Sequence, residues 1–230
     1  MTASPLYDEA YARKYRAHDE ALGGTPAYEQ FVVWLGAVCR RFDHPIDVLD
    51  VGCGTGRYFW ALEHVRSLTG LDPSAPMLAE ARSPFRADKV TAQSVSLVCG
   101  DILTADFPRD SFDLVYSIGV LAEHAPLNRG VVQQVARWTR PGGRFAFTTV
   151  HPQSSSVPQT ALRRTATALA PWLPTSARTS LRKRLLADGL YADERWVEDV
   201  LTPLFAIESL TLAHSEAHLH CLCIGRKVRA

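Results

Sequence analysis

Two periodicities divide the chain. Over the first 44 residues apolar side chains recur at helical spacing. Tyr7, Tyr11 and Tyr15 fall four apart, and after a break at Gly23-Gly24 the residues Phe31, Trp34, Leu35 and Val38 line one face of a helix over 27–41. From residue 46 the pattern becomes short, nearly continuous apolar runs that alternate with amphipathic stretches. The runs predict strands at 46–51, 67–71 (ending at Asp72), 95–99, 112–117 and 144–150. The stretches between them predict helices at 57–65, 75–82 and 128–139, followed after an interruption by a helix over 192–204. Two last runs, 205–213 and 217–227, read as a hairpin turning near Ser215, at the sheet edge or inserted beside the fifth strand. Strands apolar on both faces are those of a parallel sheet covered by crossover helices. The fold class is therefore α/β: a doubly wound, mostly parallel seven-stranded sheet with an antiparallel C-terminal hairpin. Its ligand crevice is expected at the C-terminal ends of the strands.

This organisation fits a single domain in four parts: a helical arm (1–44), a core (45–150), a Pro-, Ser- and Arg-containing insert (151–190), and the last helix with the hairpin (191–230). At 47% apolar and 21% charged residues the composition is that of a soluble globular protein. No stretch approaches the roughly 18 apolar residues of a membrane span, and the first residues lack the apolar centre of a signal peptide. Five cysteines, an odd number and widely spread, suit reduced thiols, so a cytoplasmic location is expected. The formal net charge of +1 hides an asymmetry. Six basic residues and no acid lie between Pro152 and Ala187 (Arg163, Arg164, Arg178, Arg182, Lys183, Arg184), so the remainder is net acidic.

The chemistry concentrates where strands end. The run Val48-Leu49-Asp50-Val51 leads into Gly52, Gly54 and Gly56, which read as a glycine loop opening a helix and offering backbone N–H groups to a nucleoside-like ligand. Asp72 follows Gly52 by 20 residues, the interval of one α–β unit, where its carboxylate can accept from both hydroxyls of a ribose. The alternative for Asp72 is a helix cap, with Pro73 at the first helical position. Asp101, at the next strand end, can accept from an adenine amino group with Ile102 over the purine face; the alternative is a turn residue after Gly100. A dinucleotide fingerprint wants a third glycine where Arg57 stands, which counts against an NAD(P)-binding oxidoreductase.

These segments, with Gly70-Leu71-Asp72-Pro73-Ser74, Phe112-Asp113-Leu114-Val115-Tyr116-Ser117 and Arg140-Pro141-Gly142-Gly143-Arg144, resemble the class I S-adenosylmethionine-dependent methyltransferases, especially the small-molecule branch with a helical N-terminal arm. The resemblance covers 45–150 well, the hairpin reasonably and 152–190 poorly. It implies S-adenosyl-L-methionine as cofactor and S-adenosyl-L-homocysteine as product. It also implies cofactor contacts from Gly52, Cys53, Gly54, Gly56, Asp72, Pro73, Met77, Asp101, Ile102, Ser117 and Ile118. Tyr11 and Tyr15 are similar to arm aromatics that close over the methionine portion. A non-catalytic module that binds the same cofactor is the alternative from another class.

Methyl transfer from a sulfonium needs alignment above all, and a base only where the acceptor must lose a proton. Candidate bases are His124 and Glu123, in the loop after the fourth strand, and His151, just after the fifth. His218, His220, Cys221 and Cys223 look metal-like, but strand alternation sends the two pairs to opposite faces, so no metal is expected. The basic insert reads as a cap over the acceptor pocket. It would suit an anionic or lipid-like acceptor, or peripheral contact with an anionic membrane. A nucleic-acid partner is disfavoured, because no aromatic–basic interleaving accompanies the charge. The expected partner is a small-molecule or lipid-like methyl acceptor.

Overall fold

The computed structural model describes residues 8–155, 191–215 and 218–228. Two helices come first, α1 (Glu9–Leu22) and α2 (Pro26–Cys39). Then follow β1 (Ile46–Val51), β2 (Val65–Asp72), α3 (Ala75–Ala81), β3 (Ser94–Cys99), β4 (Phe112–Ser117), α4 (Arg129–Trp138) and β5 (Thr139–Val150). After the segment 156–190, which contains nearly all of the basic insert and lies outside the described residues, come α5 (Glu194–Leu201), β6 (Phe205–Ser215) and β7 (His218–Lys227). The sheet has seven strands in the order β3-β2-β1-β4-β5-β7-β6. β1 to β5 run parallel, and β7 is antiparallel to both β5 and β6. Of the two placements open to the hairpin, the structure takes the second, with β7 inserted beside β5.

Alternation along each strand builds two cores. Leu49, Val51, Val115, Phe145 and Phe147 face α4 and α5, where Trp138, Val131 and Val197 fill the layer. Val48, Leu114, Tyr116, Ala146 and Ile224 face the other way, onto α2 and the aromatic side chains after β1. Side-chain caps set the starts of four helices: Asp8 accepts from Tyr11 N (2.8 Å), Asn128 from Val131 N (3.1 Å), Asp193 from Trp196 N (2.8 Å) and Ser74 from Met77 N (3.2 Å). No described helix is long and apolar enough to cross a membrane.

The helix expected over 57–65 does not form. A single 3-10 turn, Phe59–Ala61, stands in its place, and β2 begins early, at Val65. The reason lies in three consecutive aromatic residues. Phe59 is fully buried beside Gly56 and Gly70, Tyr58 is buried and stacks on Tyr28 (5.4 Å between centroids), and Trp60 packs on the same ring. An α-helix turns successive side chains by about 100° and would send one of the three to solvent. The helix expected over 192–204 is also shorter, because Asp193 caps it and Thr202 is held extended before Pro203.

The two edges of the sheet differ in how their charges are met. At the N-terminal edge Arg140 bonds Asp113 (2.5 Å) and Asp47 (2.9 Å), and Arg66 bonds Asp47 too, which staples the starts of β1, β2, β4 and β5 together. The candidate site lies at the C-terminal edge, where Glu123 Oε1 is buried without a partner among the described residues.

Replacing Phe59 by Ala is expected to destabilise the fold by about 3–5 kcal/mol, measured by urea denaturation. A loss under about 1 kcal/mol would show that the aromatic cluster does not dictate this crossover.

Candidate cofactor site

The glycine loop joins β1 to the tip of β2. Gly52 and Gly56 have φ of +75° and +76°, and a Cβ on Gly52 would come within 2.4 Å of Val120 Cγ2. Only glycine meets both conditions at that position. The N–H groups of the loop point inward, contrary to the expectation of an open cradle. Gly52 N and Cys53 N both donate to Leu71 O (2.7 and 3.1 Å), Gly56 N to Cys53 O (2.9 Å) and Gly54 N to Asp72 Oδ2 (2.9 Å). With these donors used and no α-helix behind them, the loop is a poor seat for a pyrophosphate.

Asp72 is not a helix cap, since Ser74 caps α3 and Pro73 is exposed. Its Oδ1 instead accepts from Ser74 N (2.9 Å) and its Oδ2 from Gly54 N. Burial raises its pKa, and the two N–H donors oppose that rise. Each carboxylate oxygen keeps a second lone pair for a hydroxyl donor. The neighbouring strand tip is tied on by Gly100 N, which donates to Asp72 O (3.0 Å). Asp101 is half-buried and accepts from Leu103 N (2.8 Å), while Ile102 is buried beside it. Met77 is buried against Gly54. Ser117 sits at the same edge, but its hydroxyl donates to Val51 O (2.9 Å) and so links β4 to β1; Ile118 after it is half-buried.

α1 lies across this edge and is fastened by charge. Asp19, fully buried, accepts from the Thr55 hydroxyl and from Arg57 Nε (2.5 Å). The Arg57 guanidinium rests 4.7 Å from the centroid of the Tyr15 ring, which stacks on Tyr11 (6.0 Å). Sequence reasoning used Arg57 only as a missing glycine and passed over Asp19 and Thr55. An acid on the alanine-bearing face of an otherwise polar helix was the available signal.

The loop after β4 supplies the fourth wall. Val120 O collects the N–H groups of Glu123 (3.2 Å), His124 (2.8 Å) and Ala125 (3.0 Å), and Ala122 is driven to φ +60°. A left-handed alanine costs roughly 1–2 kcal/mol. That strained turn separates the two candidate bases, for His124 is exposed while Glu123 is turned in towards Tyr15. Glu123 Oε1 is buried with no hydrogen-bond partner among the described residues, and burial pushes its pKa up to about 7.

Residues 48–143 match the family described as methyltransferase domain. A probable tocopherol O-methyltransferase of Oryza sativa subsp. japonica is 37% identical over 108 residues, which are 46% of this chain and 29% of that protein. A malonyl-[acyl-carrier protein] O-methyltransferase of Enterobacter lignolyticus is 33% identical over 150 residues, 64% of this chain and 50% of that protein. Over this core the chain is similar to methyltransferases. It spans half or less of the length of these two relatives. The likeness of fold extends beyond the matched core. The crystal structure of the N-methyltransferase NodS from Bradyrhizobium japonicum, in complex with S-adenosyl-L-homocysteine, superposes with a TM-score of 0.66 at 17% identity, covering 98% of this chain and 100% of that one.

Two further clusters involve buried titratable groups of the sheet. His151, Glu194 and Cys221 place ligand-capable atoms within 4.8 Å of one another. Gln153 N, however, donates to His151 Nδ1 (3.1 Å), so Nε2 carries the proton and donates to Glu194 (3.2 Å), while the Cys221 thiol donates to Ala192 O (3.5 Å). Hydrogen bonds satisfy the trio, and with both ring nitrogens engaged His151 pins β5 to α5 rather than standing free as a base. In β7 the expected split is visible: His220 meets Phe31 on the α2 side, whereas Cys223 joins the α4 core.

The second cluster was not anticipated. Asp50, inside β1, is buried and accepts from Tyr116 Oη (2.6 Å). Desolvation pushes its pKa up to about 8, a rise the Tyr116 bond opposes and nearby Asp72 reinforces. The folded state therefore holds a proton that the unfolded chain releases near its ordinary value of 3.8. Stability from this group falls as pH rises from there to about 8 and is then level. Asp50→Asn keeps an acceptor for Tyr116 and is expected to remove that slope, gaining on wild type towards pH 8 in denaturation series. Parallel pH profiles for the two proteins would refute the protonated Asp50.

Proposed function

We propose that the protein transfers a methyl group from S-adenosyl-L-methionine to a small or lipid-like acceptor that must lose a proton, a hydroxyl above all. The observation that carries this reading is the polarity of the C-terminal strand edge. Asp72 ends β2 and Asp101 follows β3 on the adjacent tip, where they would meet a ribose and a purine, while Gly52, Cys53, Gly54 and Gly56 already spend their N–H groups within the fold. An adenosyl sulfonium is cationic and needs no anion seat; a dinucleotide does.

Met77 and Ile102 would flank the adenine, Asp72 would accept from the ribose, and Tyr11 and Tyr15 would cover the methionine portion. Gly52, Cys53, Gly54, Gly56, Pro73, Ser117 and Ile118 would shape the walls. When bound, the cofactor supplies an electrophilic methyl group, and this chain's residues have to orient the acceptor, exclude water and take its proton. Glu123 is the base in this reading rather than His124, because it is the buried carboxyl without a bond at the mouth of the site. A neutral amine would need no such group. Two of the relatives, named tocopherol and malonyl-[acyl-carrier protein] O-methyltransferases, support an oxygen acceptor, while others are named sterol 24-C-methyltransferases. The insert that begins at Pro152 would cap the acceptor. Five free thiols, four of them buried, support a reducing compartment such as the cytoplasm.

Incubation with methyl-labelled S-adenosyl-L-methionine and pools of phenolic, carboxylic and lipid acceptors is expected to label an oxygen. Label confined to amines would overturn the acceptor class. For the labelled acceptor, kcat/KM is expected to rise with pH through about 7 as Glu123 ionises. Glu123→Gln should lose that limb together with about 10²–10⁴ in rate. Wild-type turnover in the variant would remove Glu123 as the base.

A further inference from the structure

We infer that Tyr191 and Trp196 are positioning residues for Glu123: the backbone N–H of the first and the indole N–H of the second hold the loop after β4 in the shape that turns this carboxyl into the site. The inference rests on the reading of Glu123 as the base.

The loop 118–127 is irregular, with an isolated bridge between Leu121 and Ala125, yet Leu121, Ala122 and Leu127 are fully buried. Buried irregular backbone needs a partner for each polar group. Within the loop, Val120 O takes three N–H groups and Ala125 O takes that of Ala122 (2.7 Å). The other groups are met from outside. Gly119 N donates to Thr148 Oγ1 at the end of β5 (3.0 Å), Tyr191 N donates to Ala122 O (2.8 Å), and Trp196 Nε1 donates to Leu127 O (2.8 Å). The loop is thus pinned before, beside and after Glu123, twice by the segment 191–196.

Both of those anchors are themselves fixed. Ala192 is fully buried; its N–H donates to Val150 O (3.1 Å) and its carbonyl accepts from the Thr149 hydroxyl (3.3 Å), so Tyr191 is tied to the tip of β5. Trp196 stands in the first turn of α5, where Asp193 accepts from its backbone N–H (2.8 Å). The contact beside Glu123 joins two left-handed residues, Ala122 at φ +60° and Tyr191 at φ +61°. A bulky residue takes that conformation only where its surroundings impose it. Relaxing Ala122 to a negative φ would swing Glu123 towards the solvent that His124 now faces. Tyr15 faces the carboxyl from α1, with Arg57 beyond the Tyr15 ring, and His124 follows it in the chain. Oε1 has no partner among the described residues, so burial sets its proton affinity, and exposure would return that affinity towards the ordinary value of 4.5.

The test is an NMR titration of the intact protein carrying ¹³C-labelled glutamate, with the Glu123 signal assigned by its loss in Glu123→Gln. Trp196→Phe removes the indole donor and keeps an aromatic ring. Tyr191→Pro removes the backbone donor and forbids a positive φ, whereas Tyr191→Gly keeps the donor and accepts that φ. Wild type and Tyr191→Gly are expected to titrate near 7. Trp196→Phe and Tyr191→Pro are expected to bind the Glu123 proton at least about tenfold more weakly. Both should lose about 10–100-fold in kcat for the acceptor labelled in the pools, while affinity for S-adenosyl-L-homocysteine by calorimetry stays within about twofold. An unmoved titration in Trp196→Phe overturns the assignment, and decides alone if Tyr191→Pro does not fold. So does an equal effect of Tyr191→Gly and Tyr191→Pro, or a matching loss of S-adenosyl-L-homocysteine affinity, which would mean that the whole edge had loosened. Full turnover of Glu123→Gln would overturn the base reading itself, and this assignment with it, whatever the titrations show.

Discussion

The Asp72 carboxylate accepts from Gly54 N and Ser74 N at once, and through those two bonds the tip of β2, the loop after β1 and the start of α3 become one junction. The other site groups take their places from it. Gly100 N hangs β3 and Asp101 from the same residue, Met77 follows one turn after the Ser74 cap, and Gly54 is fixed beneath Met77. The carboxylate is desolvated enough to raise its pKa, yet two N–H donors hold it in orientation. A hydroxyl pair approaching it would find an acceptor already aimed, which is the sense in which the site is preorganised.

Around that junction the fold separates structural charge from available charge. Asp47, Asp113, Arg66 and Arg140 neutralise one another at the N-terminal edge. At the other edge Glu123, in a strained turn, and Arg16, on α1, are half-buried, each with a buried polar atom that has no partner among the described residues. α1 itself is held mainly by the Asp19–Arg57 pair, so the wall carrying Tyr11, Tyr15 and Arg16 depends on one electrostatic fastening.

Much of this was legible in the residues. The parallel strands announce themselves as short two-faced apolar runs, and the bounds of β1 and β4 follow from the pattern alone. The inserted hairpin was one of two placements that periodicity allowed. Local rules failed where tertiary packing overrode them. Tyr58, Phe59 and Trp60 satisfy a helical pattern on paper but are drawn together into one aromatic cluster, and the crossover helix is lost. The inward turn of the loop N–H groups depends on Leu71 O and Asp72, which no local sequence window contains. The order of Glu123 and His124 hangs on a left-handed Ala122, and nothing in its sequence neighbourhood demands that conformation. Asp50 could have been noticed, since an acid within an apolar strand must find a partner or keep its proton.

The central claim is that Asp72 grips an adenosyl ligand by its ribose. Calorimetric titration of S-adenosyl-L-homocysteine and of NADH into wild type and Asp72→Ala tests it most directly. The account predicts that wild type binds the first and not the second, and that the variant loses at least about tenfold in affinity for S-adenosyl-L-homocysteine. Equal affinity in variant and wild type, or NADH binding at the same edge, would contradict it.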